Sequence, residues 1–347
     1  MMGITRKQFL KSTAAATLAM TALRNANAAG KTVRIATVTG ADIPEGRAVQ
    51  WLVPELEKAS DGALKVEYLP SAGGGKLNDA KGSMYANLVE ANGVDLVIGN
   101  STQCASVMDL KPLKIWDMPF LFSNYKEVDT VLDGPIGEQA YGDIEKKGLK
   151  GLMYMENGFR NVCNDVRPIN TPDDFKGLII RTIPGSIASK VFEAMGAQTL
   201  GAPFPQVYSM LKEKKINAAE CPFGAILDQK WHEVTRYLTV INYVYSPNAV
   251  TVSLKFWNTL APKEQKILVE QLARARTVQR DINRKLQSEA AEQLRVKGMQ
   301  VNTVSNEQIR RFENRLNKIS ASIAQEVGLS LWIDVNKTLN GVREKKL

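Results

Sequence analysis

The sequence predicts an α/β fold of two lobes, and three observations carry that expectation. Short apolar strands alternate with amphipathic helices twice, once before and once after a long extended run at 149–164. A second extended run lies at 240–254, and one helical pattern follows from Pro262 to about Lys297. At 347 residues the chain is long enough for two units, each with its own core.

The first unit opens at Lys31. Residues 32–38 are β-rich, and Val49, Leu52, Val53 and Leu56 recur at helical spacing within 47–59. A strand at 64–69 leads to Gly73-Gly74-Gly75, a helix to about Ala91 and an apolar strand at 95–99. The triple glycine lacks the Gly-Lys-Ser/Thr ending of a phosphate loop and reads as a turn whose backbone can approach a ligand or a helix. Pro119-Phe120-Leu121-Phe122 forms an apolar loop before a helical region at 125–147. The run at 149–164, interrupted by Gly158, suits a strand crossing between lobes, and 240–254 suits a return. Between them the pattern restarts: Thr171 caps, Pro172 takes the first helical position, and strands at 178–183, 198–202 and 216–221 alternate with helices at 187–195, 206–214 and 225–237. An apolar stripe from Leu268 to Leu294 then marks a helix of roughly 35 residues, about 50 Å, long enough to brace both lobes. Ser305 with Gln308 opens a further helix, which Gly328 separates from a last segment at 331–339. The resulting division is an export signal at 1–28, domain I at 29–157 plus about 246–285, and domain II at 158–245 plus about 286–347.

The export signal rests on Arg6, Lys7 and Lys11 before the alanine-rich stretch 12–23, and on Ala26-Asn27-Ala28 as a cleavage site that leaves Ala29 at the mature N-terminus. The run from Thr5 to Lys11 resembles a twin-arginine signal with Lys7 in place of the second arginine. Losing Arg6, Lys7, Lys11 and Arg24 lowers the formal charge from +9 to 9 − 4 = +5. What remains has no aromatic-interleaved basic patch, which argues against nucleic acid, and its mild positive charge favours an anionic solute. No run of 18 apolar residues is present to span a membrane.

For chemistry, the sequence offers one histidine, His232, 11 residues from Cys221, and a Cys221–His232 dyad would need orienting and oxyanion groups that the sequence does not display. Gly-x-Ser-x-Gly, His-Glu-x-x-His and dinucleotide fingerprints are absent, so neither an enzyme nor a cofactor is expected. Cys104, Cys163 and Cys221 lack metal-ligand spacing and read as small buried residues, with one internal disulfide at most. Arg160 and Arg181 stand out instead, because each lies in or beside an apolar run. A buried guanidinium needs an anion, which is either a carboxylate of the same chain or a small organic acid held by both arginines.

Four further motifs bear on that choice. They are Met118-Pro119-Phe120-Leu121-Phe122, Val131-Leu132-Asp133-Gly134-Pro135, Glu156-Asn157-Gly158-Phe159-Arg160-Asn161, and Pro172-Asp173-Asp174-Phe175-Lys176-Gly177-Leu178 leading to Ile180-Arg181. Together they resemble the solute-binding proteins of tripartite ATP-independent periplasmic (TRAP) transporters, in the four-carbon-dicarboxylate-receptor-like family, over about 31–339. The resemblance implies a two-lobed periplasmic binding protein, with crossing strands, a long helix over both lobes and a cleft that closes on ligand. It also implies a periplasmic location and a membrane permease partner driven by an ion gradient.

The family's ligand arginine falls on Arg181 and a second on Arg160, an arginine clamp for a small organic carboxylate. A family Gln-Glu-Asn-Pro run appears here as Ala219-Glu220-Cys221-Pro222, which keeps Glu220 but replaces the amide by Cys221, a weak donor and acceptor. With Phe223, Phe120 and Phe122 as expected cleft walls, a monocarboxylate with an apolar or aromatic body is expected over succinate or malate. The competing readings are an exported hydrolase using Cys221 and His232, and a receptor feeding a sensor rather than a permease.

Overall fold

The computed structural model describes residues 30–79 and 83–344, so the export signal expected at 1–28 lies outside the described residues. Among the described residues nine strands form one mixed sheet: β1 Lys31–Thr37, β2 Leu64–Leu69, β3 Leu96–Asn100, β4 Leu149–Asn164, β5 Ile179–Thr182, β6 Gln198–Gly201, β7 Ala218–Cys221, β8 Tyr237–Ser253 and β9 Gln300–Thr303. They lie in the order β2-β1-β3-β8-β4-β7-β5-β6, with β9 also on β8.

Strands β4 and β8 hold this arrangement together. With 16 and 17 residues they each span about 50 Å, and they pair antiparallel along almost their full length. One end of β8 pairs with β3, bringing in the parallel set β1–β3; the last part of β4 pairs with β7, bringing in the parallel set β5–β7. The two α/β units are therefore one sheet, crossed by two shared strands. β9 was missed because four residues with little apolar content carry no period-2 signal, yet they pair parallel with the start of β8.

The helix Pro262–Val296 runs across both units. Leu268, Leu272 and Ala275 join the core over β1, β3 and β8, while Ala290 and Leu294 join the core around β7. Its centre departs from the expected stripe: Gln279 and Asn283 are buried, and Val278, Ile282 and Leu286 are not. The cause is a register shift in β4 between Glu156 and Gly158. There the Gln279 carboxamide accepts from Glu156 N (2.9 Å) and donates to Glu156 O (2.7 Å), replacing lost strand bonds. Asn283 and Arg284 donate to the buried Glu156 carboxylate at 3.2 Å and 2.6 Å.

Two expected helices are shorter than the pattern suggested. The region 125–147 divides into Tyr125–Leu132 and Pro135–Ala140, because Pro135 cannot donate a helical bond and instead starts a new turn. The helix expected at 225–237 is Phe223–Asp228, and Tyr237 already belongs to β8. The last helices, Asn306–Val327 and Leu329–Glu344, pack behind both units: Glu326 takes Lys114 at 2.7 Å from one and Lys190 at 3.0 Å from the other.

Candidate functional site

A cavity of about 240 Å³ lies between the two units, beside the crossing strands. Val38, Glu45, Asn100 and Ser106 line it from the first unit, and Arg181, Phe204 and Cys221 from the second. Asn157 and Arg160 of β4 lie between them. Asn157 falls inside the shift between Glu156 and Gly158, outside the ladder, which leaves it on the cavity wall.

The two arginines differ in one decisive respect. Arg160 is buried and already neutralised: its Nε and Nη2 both bond the Glu220 carboxylate, Nη2 at 2.7 Å, and Nη2 also reaches Glu220 O at 2.9 Å. Tyr243 donates to the same carboxylate at 2.7 Å. Glu220 thus sits behind Arg160, one strand away on β7, and not on the main cavity wall. Although desolvation opposes it, the Glu220 charge holds the Arg160 guanidinium well into its ionised form.

Arg181, 2% exposed at the end of β5, has no ion pair among the described residues. Its Nε and Nη2 converge on one acceptor, Ala202 O, at 2.8 Å and 2.6 Å, and its guanidinium carbon lies 5.9 Å from the Phe204 ring centre. A carbonyl and a ring face orient the guanidinium without supplying a negative charge. Desolvation accordingly lowers the Arg181 pKa to about 10, with Glu220 only partly compensating. A buried cation that faces a cavity and has no ion-paired carboxylate among the described residues is a candidate anion site.

The other expected residues divide. Cys221 does line the cavity, its thiol pushed up to about 11 by burial, so the surface it offers is neutral. Phe122 does not: it packs against Trp116 and Tyr245, ring centres 6.2 Å and 6.0 Å away, inside the first unit's core. Phe223 is buried in the cluster with Trp231 and Leu238, and Phe120 packs on Phe312; neither lines the cavity. In both cases burial among other aromatics outcompetes the cleft. His232 stands on a turn, also off the cavity wall, so no Cys221–His232 dyad forms there. The three cysteines are buried and unpaired, and no metal-ligating cluster occurs among the described residues.

Reasoning from sequence missed Phe204, Glu45, Asn157 and Ser106. The Pro203-Phe204-Pro205 run just after β6 was a usable signal for Phe204, since flanking prolines fix an aromatic on a rigid loop. Glu45 was hidden by a helix boundary: the helix begins at Pro44, three residues earlier than its apolar pattern. Burial pushes the Glu45 carboxyl up to about 7.

Comparison with known proteins places this fold and cavity. Residues 35–326 match the model of bacterial extracellular solute-binding protein family 7. The 2,3-diketo-L-gulonate-binding periplasmic protein YiaO of Escherichia coli (strain K12) is 30% identical over 248 residues, 72% of this chain and 74% of that protein. Among solved structures, the sugar acid binding protein DctPAm from Advenella mimigardefordensis, in complex with galactonate, is 28% identical with a TM-score of 0.84, covering 90% of this chain and 98% of that one. A TRAP periplasmic solute-binding protein from Polaromonas sp. JS666 bound to D-erythronate is 26% identical with a TM-score of 0.80, covering 89% and 98%. The chain belongs to the family 7 solute-binding proteins, the periplasmic receptors of TRAP transporters, and is not an enzyme.

Proposed function

We propose that this receptor closes on a small organic monocarboxylate, with Arg181 as the bidentate partner of the carboxylate, and delivers it to a TRAP membrane permease. The observation that carries the proposal is the contrast between the two arginines: Arg160 has its counter-ion in Glu220, whereas Arg181 faces the cavity without one. Arg160 is then a positioning residue for the site rather than half of a symmetrical clamp. Support also comes from three relatives whose ligands, diketogulonate, galactonate and erythronate, have one carboxylate; others are named for C4-dicarboxylates, which makes the mono- against dicarboxylate comparison the deciding one. Cys221 contributes neutral surface and Glu220 acts through Arg160. A cavity of about 240 Å³ suits a small acid.

In the same proposal the lobes are 29–157 with about 246–285, and 158–245 with about 286–347, pivoting where Gly158 faces Ser246 across β4 and β8. Gly158 has φ +124°, which a side chain there could adopt only with strain.

The test is a thermal-shift screen of mono- and dicarboxylates followed by calorimetry on the hits. A ligand at 100 times its Kd stabilises by about 2.7 kcal/mol. We expect monocarboxylates among the hits, and Arg181→Ala to weaken them by about two to four decades. Unchanged affinity in Arg181→Ala, or stabilisation by dicarboxylates alone, refutes the proposal.

A further inference from the structure

The cavity wall carries a donor, Arg181, and a group of acceptors from the first lobe and β8. The only bonds of Arg181 among the described residues go to Ala202 O. The polar groups of the first lobe and of β8 are arranged differently. Glu45 is 7% exposed and has no basic partner among the described residues; its Oε1 accepts from Asn248 Nδ2 at 2.6 Å. That bond, with a second one from the same Nδ2 to Glu156 O at 3.4 Å, commits the donor side of Asn248. That leaves the Asn248 carbonyl as the side of its amide free to accept, and both Glu45 and Asn248 line the cavity. Ser106 Oγ, also on the wall, is buried and has no partner at all among the described residues. An unpartnered buried hydroxyl in a cavity wall is the independent sign that a polar ligand group belongs here.

We propose that Glu45 is the residue that selects the ligand's far end, accepting a hydrogen bond from a hydroxyl group, so that the receptor takes hydroxylated monocarboxylates and rejects the matching diacids. The inference rests on Arg181 as the carboxylate anchor. A hydroxyl can donate to the Glu45 carboxyl or to Asn248 Oδ1 and accept from Ser106 Oγ, which gives that buried hydroxyl the partner it lacks. A second carboxylate has no proton to give to the Asn248 carbonyl, and it brings a further negative charge beside the Glu45 carboxyl, so that one of the two must stay protonated. An alkyl end makes no clash but leaves the same acceptors dry and unpaired. The raised Glu45 pKa agrees with this placement, since burial and the nearby Asp228 charge disfavour its ionised form and would disfavour a further anion.

The experiment compares aldonates of four to six carbons with the corresponding aldarates, which exchange the terminal CH₂OH for a carboxylate, and with ω-deoxyaldonates. Affinities are measured by calorimetry on wild type, Glu45→Gln, Glu45→Ala and Arg181→Met, each checked for folding by circular dichroism. In wild type at least one aldonate should bind ~100-fold or more tightly than its aldarate, and ~10-fold or more tightly than its deoxy analogue. Glu45→Gln keeps the acceptor but adds a donor, so it should narrow the aldonate-to-aldarate ratio at least tenfold. Glu45→Ala should remove the preference for the terminal hydroxyl. If wild type binds an acid that Arg181→Met loses, but neither Glu45 variant changes these ratios, the role of Glu45 is overturned while the anchor stands. An ω-amino acid preferred to its ω-hydroxy counterpart overturns it as well, because the site would then be an ammonium site. If wild type binds no carboxylate of any kind, the anchor itself fails.

Discussion

Replacing each arginine by methionine in the ligand-free protein should give effects of very different size. Arg181 is desolvated with no counter-ion among the described residues, and the fall of its pKa to about 10 corresponds to a cost of ~3 kcal/mol for keeping it charged. Methionine removes that cost and forfeits the charged pair of bonds converging on Ala202 O, worth about 1.5–3 kcal/mol, and the contact with Phe204, worth about 0.5–1 kcal/mol. The balance is a ligand-free protein as stable as wild type to within about 1 kcal/mol. Arg160→Met is the reverse case, because it strands the Glu220 carboxylate, 1% exposed, with only Tyr243 and no cation. Breaking such a buried pair costs about 3–5 kcal/mol. The assay is urea unfolding without ligand, read as a midpoint at unchanged slope. Arg181→Met should leave the midpoint near the wild-type value while abolishing binding, and Arg160→Met should lower it. The double variant Arg160→Met/Glu220→Leu should recover most of the loss. If Arg181→Met destabilises as much as Arg160→Met, then Arg181 is a structural residue and its availability to a ligand is an error.

Ligand-free stability should fall as pH rises from about 4 to 7. Burial raises Glu45 from its ordinary 4.5, and Asp117 from 3.8, each to about 7. Each therefore holds, when folded, a proton that the unfolded chain has lost; this stabilisation is complete at low pH, declines through the window and is gone above about 7, by up to ~3 kcal/mol for Glu45 and ~4 kcal/mol for Asp117. Glu45 has Asp228, Tyr68 and Cys221 as charged or titratable neighbours, and Asp117 has Arg160, Glu220 and Lys114. Glu45→Gln should flatten its share of the slope, and an unchanged slope in Glu45→Gln/Asp117→Asn would refute the assignment. Gln279→Ala, which strips Glu156 of two buried backbone bonds, should cost about 3–4 kcal/mol in urea unfolding; Thr277→Ala on the exposed side of the same helix should stay within about 0.5. A loss below 1 kcal/mol at Gln279 would show that β4 holds its irregular turn without the helix.

The crossing strands were legible because a 16-residue extended run is too long for one small lobe, and the capping box at Thr171 and Asp174 because its chemistry is local. What escaped was set by pairing between distant segments. The long helix reads as one apolar stripe, yet its centre must satisfy the broken β4 backbone, so Gln279 and Asn283 turn inward where Val278 and Ile282 were expected. Phe122 and Phe223 are apolar enough for a cleft wall, and for that same reason the core took them. The two arginines make the point most sharply. Arg160 and Arg181 stand in equally apolar local contexts, and no local rule distinguishes them. The difference arises from strand order: β4 pairs with β7, which brings Glu220 to Arg160. β5 runs on the far side of β7 beside β6, which brings Arg181 the Ala202 carbonyl instead of a carboxylate. An arginine's partner is a property of the sheet: family resemblance ranks Arg181 ahead of Arg160, but the physical reason, that one has a counter-ion and the other does not, comes only from strand order.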